Sequence, residues 1–290
     1  MPAIRDAIVP VAGLGTRLLP ATRSAPKEML PIVDKPVVQY VVEELAGAGI
    51  ERVLLVTGRR KRAIEDHFDA DPELTDSAPP TPGIKLFYTR QPAPAGLGDA
   101  IARGDGFADA ASPGIVVALG DAIIGRRDDG GGRGIIARLI DAHVAHRADA
   151  TIAVTEVADE EVGRYGIVVG DPLDGGQQAI AVTRIVEKPA PGTLDSRLAV
   201  AARYVLGAAV FDALREQRPG TGGEIQLTDA IAAVIDGGGR VLAVPLTGGE
   251  RRHDIGSVEG YCRAFLAHAL RDPRLGEALR AQARALLGDR

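Results

Sequence analysis

Residues 7–31 read AIVPVAGLGTRLLPATRSAPKEMLP, and this stretch decides the fold class of the chain. Its first five residues are apolar and mostly β-branched, which predicts a buried strand. Gly13 and Gly15 follow directly, and glycines at the end of a strand let backbone N–H groups approach a phosphate chain because no Cβ stands in the way. The cationic side chains of Arg17 and Lys27 would serve the same anion. The stretch therefore predicts a phosphate-binding loop, with a tight turn that binds nothing as the alternative.

The spacing of these glycines differs from the two common phosphate-binding loops. The dinucleotide-binding pattern Gly-x-Gly-x-x-Gly fails because Leu18 stands where the third glycine is required. The Walker pattern fails because no Gly-Lys-Ser/Thr follows. Neither a dehydrogenase nor an ordinary ATPase is indicated.

Outward from this stretch, short β-rich runs alternate with helical periodicity, which is typical of βαβ units on a mostly parallel sheet. Strands are predicted at residues 7–11, 52–57, 84–88 and 115–119, and helices at 37–48, 60–68, near 99–103 and at 135–147. Strand signals then dominate, at 151–156, 165–169, 181–187 and 201–206. Residues 257–290 read as helical, with a break at Pro273.

This order predicts an α/β fold: a Rossmann-like, doubly wound mixed sheet with a β-rich extension and C-terminal helices. We expect one catalytic domain over residues 1–256. Its first half, about 1–150, has a nucleotide-binding architecture, and its second half, about 151–256, would carry the site of a second ligand. Residues 257–290 would form a helical appendage.

Composition excludes several classes of protein. The 290 residues carry 34 Lys+Arg against 39 Asp+Glu, and only 3 % are aromatic with no Trp, which argues against a nucleic-acid partner. No run approaches the ~20 apolar residues of a membrane span, and Arg5 and Asp6 interrupt any signal-peptide core. Cys262 is the only cysteine, so no internal disulfide can form, and we expect a cytoplasmic protein.

Two isolated features are weaker candidates for chemistry. His143 and His146 lie three apart on a predicted helix and could share a metal, but we favour a solvated helix face because no cysteine or further histidine is near. Cys262 is predicted to be a small buried apolar residue rather than a nucleophile.

Eight ordered motifs resemble those of the sugar-nucleotide pyrophosphorylases, a family of nucleotidyltransferases, and span almost the whole chain. They are PVAGLGTRLLPATRSAPKEMLPIVDKPVVQYVVEELAGAGI at 10–50, RQPAPAGLGDAI at 90–101, ALGDAII at 118–124, RYGIV at 164–168, VEKP at 186–189, RYVL at 203–206, GEIQLTDAI at 223–231 and HDIG at 253–256. Within the family, the resemblance is strongest to bacterial members that join UTP to glucose 1-phosphate. It implies those substrates, Mg²⁺ as cofactor, and a homodimer or homotetramer.

The reaction that the resemblance implies makes definite physical demands. A sugar 1-phosphate is already an oxyanion, so it can attack the α-phosphorus of a nucleoside triphosphate without a general base. Carboxylates for Mg²⁺ and cations for phosphates are then the expected groups. By the resemblance, Asp121 and Asp254 bind the metal, Arg17 and Lys27 neutralise the triphosphate, and Lys188 holds the sugar phosphate.

The remaining site residues are likewise assigned by resemblance. For the sugar, Glu187 would accept hydrogen bonds from its hydroxyls, and Gly166 would let the ring approach the backbone. The nucleotide-binding set is Ala12, Gly13, Gly15, Glu28, Gln91 and Gly96, with Gln91 and Gly96 at the edge of the pyrimidine.

The chain departs from the family pattern at several points. Asp99 replaces a common histidine, Gly120 replaces a proline, an arginine around Arg251 replaces a lysine, and the connection 69–83 is short. These changes leave open a thymidylyltransferase or an enzyme for another hexose 1-phosphate. They also leave open a catalytically poor nucleotide-binding paralogue with a regulatory role.

Overall fold

The computed structural model describes residues 4–69, 81, 83–126, 133–173, 179–220 and 223–288. Its strands are β1 Asp6–Val11, β2 Pro31–Ile32, β3 Lys35–Pro36, β4 Arg52–Thr57, β5 Lys85–Arg90, β6 Ile115–Ala118, β7 Ala122–Arg126, β8 Ala150–Glu156, β9 Gly166–Pro172, β10 Ile180–Glu187, β11 Leu198–Leu206, β12 Val241–Pro245 and β13 Glu250–Asp254. Its helices are α1 Val37–Gly47, α2 Arg62–Phe68, α3 Leu97–Ala102, α4 Ile135–His146, α5 Ala208–Glu216, α6 Leu227–Asp236, α7 Val258–Ala269 and α8 Gly276–Leu287.

One nine-stranded sheet, in the order β5-β4-β1-β6-β11-β8-β12-β10-β9, runs through the molecule. The strands β5, β4, β1 and β6 are mutually parallel, and β11 joins them by antiparallel pairing to both β6 and β8. The mixed α/β class with a central sheet is therefore confirmed. Because β6 and β11 share backbone hydrogen bonds, the first and second halves of the chain belong to one sheet.

The pleat of β1 shows how the sequence covers both faces of this sheet. Ala7, Val9 and Val11 point to one face, where they pack with apolar residues of α1, α2 and α4. Ile8 points to the other face, with α3, α5 and α6. Both sets are almost fully buried, which is why β1 reads as a continuous apolar run.

A separate two-stranded ribbon pairs β7 with β13 antiparallel. Ile123 of β7, Ile255 directly after β13 and Ala264 of α7 share a small apolar cluster with the beginning of α1. The β7·β13 ribbon thus ties the C-terminal helices to the middle of the chain. Among the described residues, no helix is both long and apolar enough to cross a membrane.

The predicted strands and helices are all found, with ends shifted by a few residues. Elements that were not predicted are the short strands β2 and β3, β12, α5, α6 and both strands of the ribbon. The short connection lies largely outside the described residues, which omit 70–80 and 82. The division into domains stays a prediction.

Two of the weaker interpretations were wrong. His143 does not lie on a solvated face: it is buried, with Nδ1 3.1 Å from the hydroxyl of Thr151 and Nε2 3.2 Å from the carbonyl oxygen of Pro113. Burial also lowers its pKa. Cys262 is exposed rather than buried, because it lies on the outer face of α7.

Candidate active site

A cavity of about 560 Å³ is lined by residues from both halves of the sheet. All the predicted site residues line it: Ala12, Gly13, Gly15, Arg17, Lys27, Glu28, Gln91, Gly96, Asp121, Gly166, Glu187, Lys188 and Asp254. Several of them directly follow the carboxyl ends of parallel strands, where ligands of open α/β sheets bind. The roles of the individual residues stay predictions.

The loop after β1 is built around Lys27. Gly15 adopts a left-handed φ of 67°, and its carbonyl oxygen accepts a hydrogen bond of 2.8 Å from the hydroxyl of Thr22. A Cβ on Gly15 would lie 3.3 Å from that of Lys27, and one on Gly13 would lie 3.4 Å from the Lys27 ammonium nitrogen. The two glycines therefore leave room for the lysine, whose ammonium group lies beside the backbone of the loop.

Lys27 forms an ion pair with Asp121, which follows β6. Burial alone would lower the pKa of this lysine, but nearby carboxylates, led by Asp121, hold that pKa above its ordinary value. Burial likewise would raise the pKa of Asp121, yet Lys27 holds it below its ordinary value. Both groups are thus charged at neutral pH.

Asp254 reaches the same cavity from the C-terminal part of the chain. It pairs with Ala122 in the β7·β13 ribbon, and the next residue, Ile255, donates its N–H to the carbonyl oxygen of Asp121 at 3.0 Å. The two predicted metal ligands are therefore carried on directly hydrogen-bonded backbone segments. Asp254 also contributes to the raised pKa of Lys27.

Arg252 is a site residue that the sequence analysis missed. Its guanidinium group lines the cavity, lies 3.1 Å from an oxygen of Asp254, donates to the Val200 carbonyl oxygen at 2.9 Å and stacks 4.5 Å from the ring centre of Tyr165. The sequence analysis considered Arg251 instead, as the arginine that replaces a lysine of the family pattern. Arg251 is exposed and does not line the cavity. Successive residues of β13 point to opposite sides, so Arg252 lines the cavity and Arg251 does not. No signal for this was available in the sequence, because β13 was not predicted as a strand.

Behind the loop, Glu28 forms a buried ion pair with Lys61, 2.6 Å between Oε2 and Nζ. The side chains are 1 % and 5 % exposed. Burial raises the pKa of Glu28 and lowers that of Lys61, and the opposite charge of each partner counteracts these shifts. Lys61 itself does not line the cavity. Its pairing with Glu28 was not predicted, because nothing in its local sequence links it to residue 28.

The second half of the chain supplies the other side of the cavity. Lys188 and Glu187 form an ion pair of 2.9 Å at the end of β10, and the second Glu187 oxygen accepts a hydrogen bond of 3.0 Å from Thr228. A Cβ on Gly166 would lie 2.9 Å from the Thr228 methyl group. In this structure Gly166 therefore makes room for the Thr228–Glu187 contact. Thr228 lies at the start of α6, within the quoted motif at 223–231.

Gly120 has a local reason to lack a side chain. A Cβ there would lie 2.4 Å from a methyl group of Val11, and the Gly120 N–H donates to the carbonyl oxygen of Pro10 at 3.3 Å. The proline of the family pattern could not make that hydrogen bond and would overlap Val11. This departure is accommodated by the packing of β1 against the start of the Asp121 loop.

The glycine at 96 is required for the fold of the cavity wall. Its φ of 96° and ψ of 171° lie in a region almost reserved for glycine, and a Cβ would meet the Ile225 carbonyl oxygen at 2.5 Å. We expect Gly96→Ala to lower the free energy of unfolding by about 3 kcal/mol, the sum of backbone strain and a backbone clash. Urea denaturation measures this loss.

Gly106 offers the matched control for that variant. Its φ is also positive, at 76°, but a Cβ there would meet nothing within 4 Å. Gly106→Ala should therefore cost only about 1 kcal/mol, the strain without the clash. Equal losses in the two alanine variants would contradict the importance of the contact with Ile225.

Comparison with known proteins places the chain among nucleotide-using enzymes. A uridylyltransferase from Bacillus subtilis (strain 168), named UTP–glucose-1-phosphate uridylyltransferase, is 41 % identical over 292 aligned positions that cover 96 % of each protein. A crystal structure of UDP-glucose pyrophosphorylase complexed with UDP-glucose is 36 % identical, with a TM-score of 0.81, over 91 % of this chain and 98 % of that one.

A UTP-bound UGPase from Acinetobacter baumannii is also 36 % identical, with a TM-score of 0.82, and the match covers 99 % of this chain and 100 % of the other. The family model described as nucleotidyl transferase matches residues 6–270. That match takes in every residue of the cavity lining. The chain belongs to the nucleotidyl transferase family.

Proposed function

We propose that this protein transfers the uridylyl group of UTP to glucose 1-phosphate, giving UDP-glucose and pyrophosphate. The observation that carries the proposal is the single cavity in which the loop after β1, with Lys27, faces Glu187 and Lys188 from the other half of the chain. Relatives named for this reaction match nearly the full chain, which supports the choice of substrates.

The proposed reaction is a direct in-line displacement. An oxygen of the sugar phosphate forms a bond to the α-phosphorus of UTP, and the bond from that phosphorus to the bridging oxygen of pyrophosphate breaks. No proton has to be removed, because the nucleophile is already ionised. Catalysis then rests on alignment and on neutralising charge, which fits a cavity rich in cations and carboxylates.

The residues present fit a magnesium ion. Asp121 and Asp254 offer carboxylate oxygens, the donor type that Mg²⁺ prefers, on adjacent backbone segments, and phosphates and water would complete its shell. In this structure Lys27 and Arg252 hold the two carboxylates in place. When bound, the ion would supply positive charge to the phosphates during displacement.

Each cationic side chain has a proposed partner. Arg17 and Lys27 would neutralise the triphosphate and the leaving pyrophosphate, and Lys188 would bind the phosphate of the sugar. Glu187 would accept hydrogen bonds from sugar hydroxyls, beside Gly166. The base would lie against Ala12, Gly13, Gln91 and Gly96, with Gly15 at the phosphates and Glu28 near the ribose.

We extend the proposal to the organisation of the molecule. Helices on both faces of a sheet whose order reverses between β1 and β6 support the Rossmann-like doubly wound description. Exposed apolar residues on α7, among them Val258 and Leu266, support a homodimer or homotetramer. The lone Cys262, with no second cysteine to pair with, supports a cytoplasmic location.

Release of pyrophosphate tests the proposed reaction. Purified protein is incubated with Mg²⁺, glucose 1-phosphate and each nucleoside triphosphate in turn, with and without EDTA. We expect release that is strongest with UTP and that EDTA abolishes, because the phosphates would then lose the positive charge of the metal ion. Strongest release with dTTP would keep the mechanism and change the substrate, and release in EDTA would contradict the role of the metal.

A further inference from the structure

Gln91 is the buried amide in the wall of the cavity. It follows β5, where its N–H donates to the Thr57 carbonyl oxygen at 2.8 Å, and only 6 % of the residue is exposed. Its side-chain nitrogen Nε2 makes two hydrogen bonds, 3.0 Å to the Gly96 carbonyl oxygen and 2.8 Å to an Asp99 carboxylate oxygen. Both amide hydrogens are therefore used within the chain.

These two partners determine which way the amide points. An ionised carboxylate and a backbone carbonyl can only accept hydrogen bonds, so the amide nitrogen must face them. Rotating the amide by 180° would set its oxygen against two acceptors. Oε1 makes no hydrogen bond with another described residue, and because Gln91 lines the cavity, it is the amide atom that remains for a ligand.

Asp99 is itself held in position from its other side. Its second carboxylate oxygen lies 2.9 Å from a guanidinium nitrogen of Arg103, one turn later on α3. The Asp99 side chain is 14 % exposed, whereas that of Arg103 is 42 % exposed. The hydrogen-bonded series Arg103–Asp99–Gln91 thus runs from the surface into the cavity wall.

We propose that Asp99 is a positioning residue that makes Gln91 an obligate hydrogen-bond acceptor toward the base, and so selects a pyrimidine with an N–H at ring position 3. Uracil presents that N–H, whereas cytosine presents a lone pair there, and two acceptors facing each other repel. The inference rests on the proposed function, since it assigns a base to the same cavity. It also gives a role to Asp99, the residue that replaces the common histidine of the family pattern.

The test compares the binding of UTP and CTP by calorimetry, without sugar phosphate, in the wild type and in Asp99→Ala. The wild type should prefer UTP. In Asp99→Ala, the dissociation constant of CTP divided by that of UTP should fall by about tenfold or more, mainly because UTP binds more weakly. Alanine is favourable on a helix, so α3 should be retained, and a thermal melt checks this. Equal binding of both nucleotides by the wild type would overturn the inference.

Two further variants separate orientation from general damage. Asp99→Asn keeps an oxygen that accepts from Gln91, and Arg103→Ala removes only the outer partner, so both should keep the UTP preference within about threefold. An unchanged preference in Asp99→Ala, or an equal loss in Asp99→Asn, would also overturn the inference. A UTP preference that depends on Asp99 in a protein without pyrophosphate release would support it while counting against the proposed reaction.

Discussion

Asp121→Asn is expected to lower turnover by about 10³-fold while leaving the protein folded. Asparagine has nearly the same shape, and its oxygen can still accept a hydrogen bond from Lys27. The variant loses the negative charge, so it removes a metal ligand and leaves the lysine without its ion-pair partner. The rate of pyrophosphate release at saturating Mg²⁺ and both substrates measures the loss, and a thermal melt measures the fold.

Asp105→Asn is the control for this charge removal. Like Asp121, Asp105 forms an ion pair with a cationic side chain, that of Arg215, but it is exposed and outside the cavity. Its asparagine variant should keep wild-type turnover, because exposed ion pairs contribute little and none of its contacts reach the site. Near-normal turnover in Asp121→Asn would remove that residue from the metal site.

Lys61→Met is expected to lower the free energy of unfolding by about 3–5 kcal/mol at neutral pH. The reason is Glu28, which would stay buried without its partner. Removing one member of a buried pair costs more than the pair contributes, because an uncompensated charge remains. Urea denaturation at pH 7 measures the loss, and Lys85→Met, at an exposed lysine, should change stability by less than about 0.5 kcal/mol.

The same variant should show a defined dependence on pH. Burial raises the pKa of Glu28 above its ordinary value of 4.5. Below pH 4.5 the carboxyl group is protonated in both the folded and the unfolded chain, so the penalty is absent. As the pH rises above 4.5 the unfolded chain releases the proton more readily, and the stability of the variant falls.

A double variant completes this test. Lys61→Met with Glu28→Gln removes the buried charge altogether, so it should recover most of the lost stability and should not respond to pH near 4.5. A single and a double variant of equal stability would show that the loss comes from packing around Lys61 rather than from the charge of Glu28.

The chemistry-bearing residues were predictable where they follow strands. Gly13, Gln91, Asp121 and Lys188 each stand just after a strand with a clear apolar pattern. Strand ends of one sheet converge, so motifs far apart in the sequence meet in one cavity. This placement could be inferred without knowing how the chain packs.

The structural features that the sequence did not predict depend on residues elsewhere in the chain. The β7·β13 ribbon contains the segment ERRHD, which is polar throughout and has no apolar face, so it carries no strand signal. Lys61 is buried as a charged group beside Glu28, which lies 33 residues earlier. His143 is buried because Thr151 and Pro113 satisfy its ring nitrogens, and neither lies on its helix.

The pairing of β7 with β13 also determines when Asp121 and Asp254 can come together during synthesis. A growing polypeptide leaves the ribosome from its N-terminus, so Asp121 emerges well before Asp254. When Asp121 emerges, the parallel strands β1, β4, β5 and β6 have all been made, and with them the loop that carries Lys27. The ribbon can close only when β13 emerges. A nascent chain therefore completes its pair of aspartates only after all nine strands of the large sheet have been made.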